Sequence, residues 1–289
     1  IIMSATLNLD ELKMVMPSAA YYDVEIPLYP IEIKYFPHRP EFAKLDLERK
    51  VFQAIEDILK QKKDPGDILV FLAGMKDIIK VQDYLLKHFN DSYKLMVLHG
   101  SLTMEEQQNI FVPLENITKI ILSTNIAESS VTIPNVRNVI DSGQHRESEV
   151  SPWTGLKTLK TKKISKASAI QRAGRAGRTG PGICFRLMSE FEYNAMNDAT
   201  KPEILKEDLT SSLLWSKGLN LNPKWVTNPS RAQIEKAESI LHSLGAIDEN
   251  NNITKIGNEI LKIPLYPREA RILIESFNDS KNVQKEIIK

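Results

Sequence analysis

"GDILVFLAGMKDIIKVQDYLLKHFNDSYKLMVLHG", residues 66 to 100, changes its apolar period twice. Its first part, "GDILVFLAG" (66–74), is a short, nearly unbroken apolar run, as expected for a strand covered on both faces. "DIIKVQDYLLKHF" (77–89) then spaces its apolar residues by three and four, which gives a helix with one apolar stripe. "YKLMVLHG" (93–100) returns to the strand pattern. A strand, a crossover helix and a second strand form the unit from which parallel sheets are built.

The alternation extends in both directions. "KLDLERKVFQAIEDILKQ" (44–61) reads as an amphipathic helix. So does "LTMEEQQNIF" (102–111), where Thr103 and Glu106 have the spacing of a capping box. "KIILSTN" (119–125), "VRNVIDSG" (136–143) and "GICFRLM" (182–188) are further strands. The fold expected is therefore α/β, a doubly wound, mainly parallel sheet with helices on both faces. Ligands of such sheets bind beyond the carboxyl ends of the strands, where "LAG", "LHGSL", "LSTN" and "DSG" all fall.

Past residue 200 the pattern changes. "DLTSSLLWSKGL" (208–219) and "RAQIEKAESILHSLGAI" (231–247) read as helices closed near Gly218 and Gly245. "DENNNIT" (248–254) is a polar turn between short strand-like pieces, and "KIGNEILKI" (255–263) is a small helix before Pro264. Helices followed by a small ribbon suggest a winged helix. Without a basic recognition helix it reads as a spacer rather than a reader of DNA.

The 289 residues suffice for more than one domain, and the composition (42% hydrophobic, 26% charged) is that of a soluble globular protein. A net charge of +1 makes no global claim on nucleic acid, so any basic site must be local. The single cysteine, Cys184, excludes an internal disulfide and a CxxC metal pair. It fits a reducing compartment: the cytoplasm, or the nucleus in a eukaryote. No apolar run is long enough for a membrane span, so no membrane partner is expected. The opening "IIMSATLN" and the closing "NVQKEIIK" read as cut ends of a longer chain.

"SKASAIQRAGRAGRTGPG" (165–182) carries the chemistry. On a continuous helix Gln171, Arg175 and Arg178 share one face at i, i+4 and i+7, with Arg172 a quarter turn away. Ser165 or Ser168 caps the start, and Gly180-Pro181 stops the run. Two glycines inside a helix cost about 1 kcal/mol each relative to alanine, which suggests a purpose other than folding. Aligned guanidiniums suit a polyanion such as phosphate. A solvated basic face fits the spacing equally well. No GxxxxGK[ST] loop and no acidic metal-holding motif accompany them, so the chain reads as half of a two-part phosphoryl-transfer site.

Four separated stretches, "MSATL" (3–7), "FLAG" (71–74), "STNIAESSVTI" (123–133) and "QRAGRAGR" (171–178), resemble in order and spacing the late motifs of DEAH-box helicases. "PWTGLKTLKTKKISKASAIQ" (152–171), "LMSEFEYNAM" (187–196) and "KPEILKEDL" (201–209) are most similar to the bacterial HrpB-like branch. The resemblance implies an ATP-dependent RNA helicase whose phosphate loop and acidic motif precede this stretch. It implies four parts: 1–28, the end of a first RecA-like domain; 29–199, a second RecA-like domain; 200–265, the winged helix; 266–289, the start of a helical ratchet domain.

The same resemblance implies roles for single residues. Arg175 and Arg178 would act as arginine fingers on the γ-phosphate of ATP, Gln171 would hold the attacking water, and Arg172 would pair with a carboxylate. Phe111 would pack on adenine, and Thr132 would contribute to the ribose contact, although Pro134 stands where many members carry an acid. Ser4, Ala5 and Thr6 would form the coupling motif. Gly100, Ser101, Thr124 and Asn125 would contact RNA phosphates. Residues 144–163 resemble the family's β-hairpin, whose Trp153 either stacks on a base or packs back on the domain. Magnesium would accompany ATP, held mainly by the first RecA-like domain. The expected partner is single-stranded or structured RNA; a protein activator is compatible, and no oligomeric state is implied. The rival reading is a catalytically inactive nucleic-acid-binding or adaptor module that kept the RecA-like fold.

Overall fold

The computed structural model describes residues 1–2, 9–24, 29–36, 44–61, 66–89, 93–114, 117–128, 132–150 and 157–277. The chain divides into two compact units, one of Asp23–Ser148 with Lys157–Thr200 and a second dominated by the residues from Lys201 onward.

The first unit is built on six parallel strands: β1 (Ile31–Tyr35), β2 (Asp67–Phe71), β3 (Tyr93–Leu98), β4 (Thr118–Ser123), β5 (Val136–Asp141) and β8 (Gly182–Arg186). Their order across the sheet is β1-β8-β5-β2-β4-β3. Strands β2 and β8 are buried along their whole length. Alternate residues of β2 serve opposite faces, as the pleat requires. Ile68 and Val70 join one core cluster with α2 (Leu47–Gln61) and α3 (Met75–His88). Leu69 and Phe71 join a second cluster with Ile110, Ala127, Val139 and Ala173. In α2 the buried positions Val51, Ala54, Ile55 and Ile58 step by three and four, which places the stripe on the sheet.

Short elements complete this unit. Helix α4 (Met104–Asn109) opens with the capping box of Thr103 and Glu106. Strands β6 (Gln144–Val150) and β7 (Lys157–Lys163) form a separate two-stranded sheet in the hairpin segment. Helix α5 (Lys166–Ala173) is capped by Ser165, whose hydroxyl accepts from the Ser168 amide at 3.2 Å. Helix α6 (Glu190–Asn194) has a capping box of its own, Ser189 with Glu192. The edge strand β1, IEIKY, is not among the strands read from the sequence, although it alternates apolar and charged residues; its burial is irregular, with Glu32 and Ile33 exposed.

The second unit includes α1 (Leu9–Val15) and the helices α7 (Thr210–Gly218), α8 (Arg231–Ser243), α9 (Lys255–Ile260) and α10 (Pro267–Ser276). Leu213, Leu214, Leu241, Ile247 and Ile260 meet in one core there. The expected ribbon is a single antiparallel bridge, Ile247 to Ile253, closed over a tight turn in which Asn251 has a φ of 61°. No helix among the described residues is long and apolar enough to cross a membrane.

Candidate functional site

The helix expected over residues 165–178 is shorter than its spacing suggests. It ends at Ala173, and Gly174 to Gly180 continue as turns and bends into β8. The helical repeat therefore does not align the arginines. Arg175 and Arg178 lie in the turns, and the chain is held there by backbone contacts. The Tyr29 amide donates to the Gly177 carbonyl at 2.9 Å. A Cβ on Gly177 would lie 2.7 Å from the Tyr29 carbonyl oxygen and 2.8 Å from the Ile31 side chain, so only glycine fits against β1.

Arg172 is the hub of this region. It is fully buried, and its guanidinium meets Glu128 at 3.0 Å, Asp141 at 2.8 Å and the Gln144 carbonyl at 3.1 Å. It also lies over the Phe71 ring, 4.9 Å from the centroid. Burial opposes its charge, but the Asp141 and Glu128 carboxylates outweigh that and raise its pKa above the usual arginine value. Asp141 Oδ1 also accepts from the Gly143 amide at 2.9 Å, which ties the loop after β5 into the same knot.

Glu128 is the residue that sequence reading passed over. Its carboxylate accepts from the Ser168 hydroxyl and from Arg172, while its backbone carbonyl accepts from Arg175. One residue of the "STNIAE" stretch thus holds both α5 and the arginine turn. Nothing local in the sequence signals this, because the partners are 40 to 47 positions apart. Arg175 is 8% exposed, and burial first, then the neighbouring Arg178, pushes its pKa down to about 10. Arg178 is exposed and donates to the Thr132 hydroxyl. Leu69, Ala127, Ile133 and Val136 line a small recess with the two arginines. Thr132 therefore joins Arg178 at one site, with its hydroxyl engaged by the guanidinium. Gln171 is half-buried on α5.

Phe111 sits past α4, half-buried, with its ring against the cluster of Leu98, Ile110 and Ile121. The proposed nucleic-acid contacts lie elsewhere, at the carboxyl edge. Leu72, just past β2, donates its amide to the Ser123 carbonyl at the end of β4 at 2.8 Å, and Ser142, just past β5, donates to the Phe71 carbonyl at the end of β2 at 3.1 Å. Asn125 is exposed there, whereas Thr124 is only 7% exposed. Gly100 has open space where a Cβ would stand, and the Ser101 hydroxyl meets His99 Nδ1 at 2.8 Å. In the hairpin, Lys162 pairs with Glu147 at 3.0 Å. Ser4, Ala5, Thr6 and Trp153 lie outside the described residues.

Comparison with known proteins gives a consistent result. Residues 50–180 match the helicase conserved C-terminal domain, and 237–265 match the winged-helix helicase-associated domain HA2. The chain is 36% identical over 287 residues to a probable ATP-dependent RNA helicase, DHX34, of Homo sapiens, spanning 95% of this chain and 25% of that protein. It is 33% identical to the ATP-dependent RNA helicase HrpB of Escherichia coli, over 97% of this chain and 35% of that protein. The crystal structure of the Escherichia coli DEAH/RHA helicase HrpB superposes with a TM-score of 0.87 at 30% identity, covering 99% of this chain and 36% of the other. The chain thus spans about a quarter to a third of the length of the relatives it matches.

Proposed function

From a chain that belongs to the DEAH-box helicase family, we infer the second motor domain and adjoining winged helix of an ATP-dependent RNA helicase. The observation that carries this reading is the Arg175–Arg178 turn. Two guanidiniums in mutual repulsion, one buried and one exposed, border a recess beside Thr132. A polyphosphate relieves that repulsion, and charge developing on its terminal group strengthens both contacts. ATP with its magnesium supplies the transferable phosphoryl group. The residues of this chain orient it, Arg178 by leaving Thr132 for the γ-phosphate and Arg175 by staying braced on the Glu128 carbonyl. Gln171 holds the attacking water. The phosphate loop and the metal-holding carboxylates belong to the preceding domain.

Full-length protein assayed for RNA-stimulated ATP hydrolysis tests this reading. Absence of turnover with any RNA would favour an inactive binding module. Phe111→Ala is expected to raise the KM for ATP with kcat nearly unchanged, the signature of lost uniform binding. A melting-temperature loss with KM unchanged would make Phe111 a core residue instead.

RNA is expected along the carboxyl edge, over Gly100, Ser101, Thr124 and Asn125. Hydroxyls and amides of this kind position phosphates without reading bases. Affinity for two unrelated single strands is therefore expected to be similar and to fall with salt, with a log–log slope of about −0.7 per phosphate neutralised. Anisotropy titrations at several salt concentrations measure it. Sequence-selective binding that ignores salt would contradict it. The cytoplasm, with its reduced thiols, is the compartment we propose for a chain whose only cysteine is buried.

A further inference from the structure

Phe111 stands between two carbonyls that are tied to one buried amine. Lys119, the second residue of β4, is 1% exposed. Its Nζ donates to the Ile110 carbonyl at 2.9 Å and to the Val112 carbonyl at 3.2 Å. The same nitrogen pairs with Asp67 Oδ2 at 3.2 Å. Two of the ammonium's three protons thus go to carbonyls, while the contact with Asp67 Oδ2 is an ion pair without a hydrogen bond. Asp67 also receives the Lys119 amide at 2.9 Å through Oδ1, so the amine is anchored to two central strands of the sheet.

Burying such a pair is an expensive way to fill volume, because apolar residues of similar size commonly stabilise as well or better. The amine's other two bonds indicate what it does instead. They clamp the carbonyls on both sides of Phe111 in the turn that leaves α4, where the Ile110 and Phe111 amides already donate to the Gln107 and Gln108 carbonyls.

We propose that Lys119 is a positioning residue for the nucleotide base. By holding the Ile110 and Val112 carbonyls it sets the plane of the Phe111 ring, and so tunes affinity for the base without touching the phosphates. This rests on the reading of Phe111 as the aromatic that packs on adenine.

The test uses the full-length helicase with saturating RNA. It compares Phe111→Ala, the paired replacement Asp67→Leu with Lys119→Met, and all three changes together. The quantities are kcat, the KM for ATP, and the inhibition constant of inorganic tripolyphosphate, which has no base. Phe111→Ala is expected to raise KM about 3- to 10-fold, the range of one aromatic stack. The paired replacement is expected to raise KM comparably, with kcat and the tripolyphosphate constant unchanged. The triple variant should be no worse than Phe111→Ala alone, since the clamp then has no ring to aim.

A wild-type KM in the paired variant, with Phe111→Ala raised, overturns the role of Lys119. So does a parallel rise in the tripolyphosphate constant, which marks general damage. An unchanged KM in Phe111→Ala overturns the stacking reading itself and the proposal with it; that single variant tells the two failures apart. If the paired variant does not fold, Lys119→Arg serves. It keeps the charge but cannot serve both carbonyls from one nitrogen in the same space, so the same selective rise in KM is expected and a wild-type KM overturns the proposal.

Discussion

Arg178→Ala in the full-length enzyme is expected to lower kcat by about 10³-fold or more, with the melting temperature and nucleotide-free RNA affinity unchanged. Arginine fingers are worth about 10³–10⁵ in rate, whereas an exposed polar contact contributes about 0–1 kcal/mol to stability. Arg178 is exposed, and its one described hydrogen bond is to the Thr132 hydroxyl, so the folded state loses little when the side chain is removed. Lysine at 178 keeps the charge without the planar fork and is expected to rescue poorly. Arg175→Ala is expected to lose rate similarly, with a modest stability change because its side chain is buried on the Glu128 carbonyl. RNA-stimulated turnover and thermal melting, measured on the same preparations, decide it. Activity lost only in proportion to folding would make the arginine turn structural.

Arg172→Ala is expected to do the reverse. Removing one partner of a buried ion pair typically costs about 3–5 kcal/mol, because the remaining charge stays buried and unpaired. Here two carboxylates are abandoned at once, and the Asp141 side chain is 0% exposed. For a domain of this size a loss of that magnitude lowers the melting temperature by about 10 °C. The activity of the molecules that remain folded should fall far less than in Arg178→Ala. A near-native melting curve would mean that Asp141 and Glu128 find other donors, and the Arg172 hub would lose its structural role.

The fold was legible where burial dictates the pattern. Strands covered on both faces must be apolar throughout, and helices packed on them must repeat at three and four; β2 and α3 obey these rules. Strand β1 follows the other strand rule, alternating apolar and charged residues as a half-covered edge strand does. The arginines were legible as a group but not in their geometry. A helical wheel assumes that the helix continues, and two glycines with a proline after them allowed it to stop at Ala173. Glu128, Asp141 and Lys119 left no sequence signal, because each acts on residues brought to it by the sheet. Long-range polar contacts of this kind have no period.

Strand β1 pairs with β8 along its full length, Ile31 against Gly182 through Tyr35 against Arg186, across 151 positions of sequence. At synthesis rates of about 5–20 residues per second, β1 leaves the ribosome roughly 8–30 s before its one strand neighbour among the described residues exists. During that interval its hydrogen-bonding groups are an open edge available to any other strand. The half-exposed strand IEIKY is poorly suited to aggregation, because Glu32 and Lys34 stand along it. Two charges on five residues thus guard the open edge while β1 waits for β8.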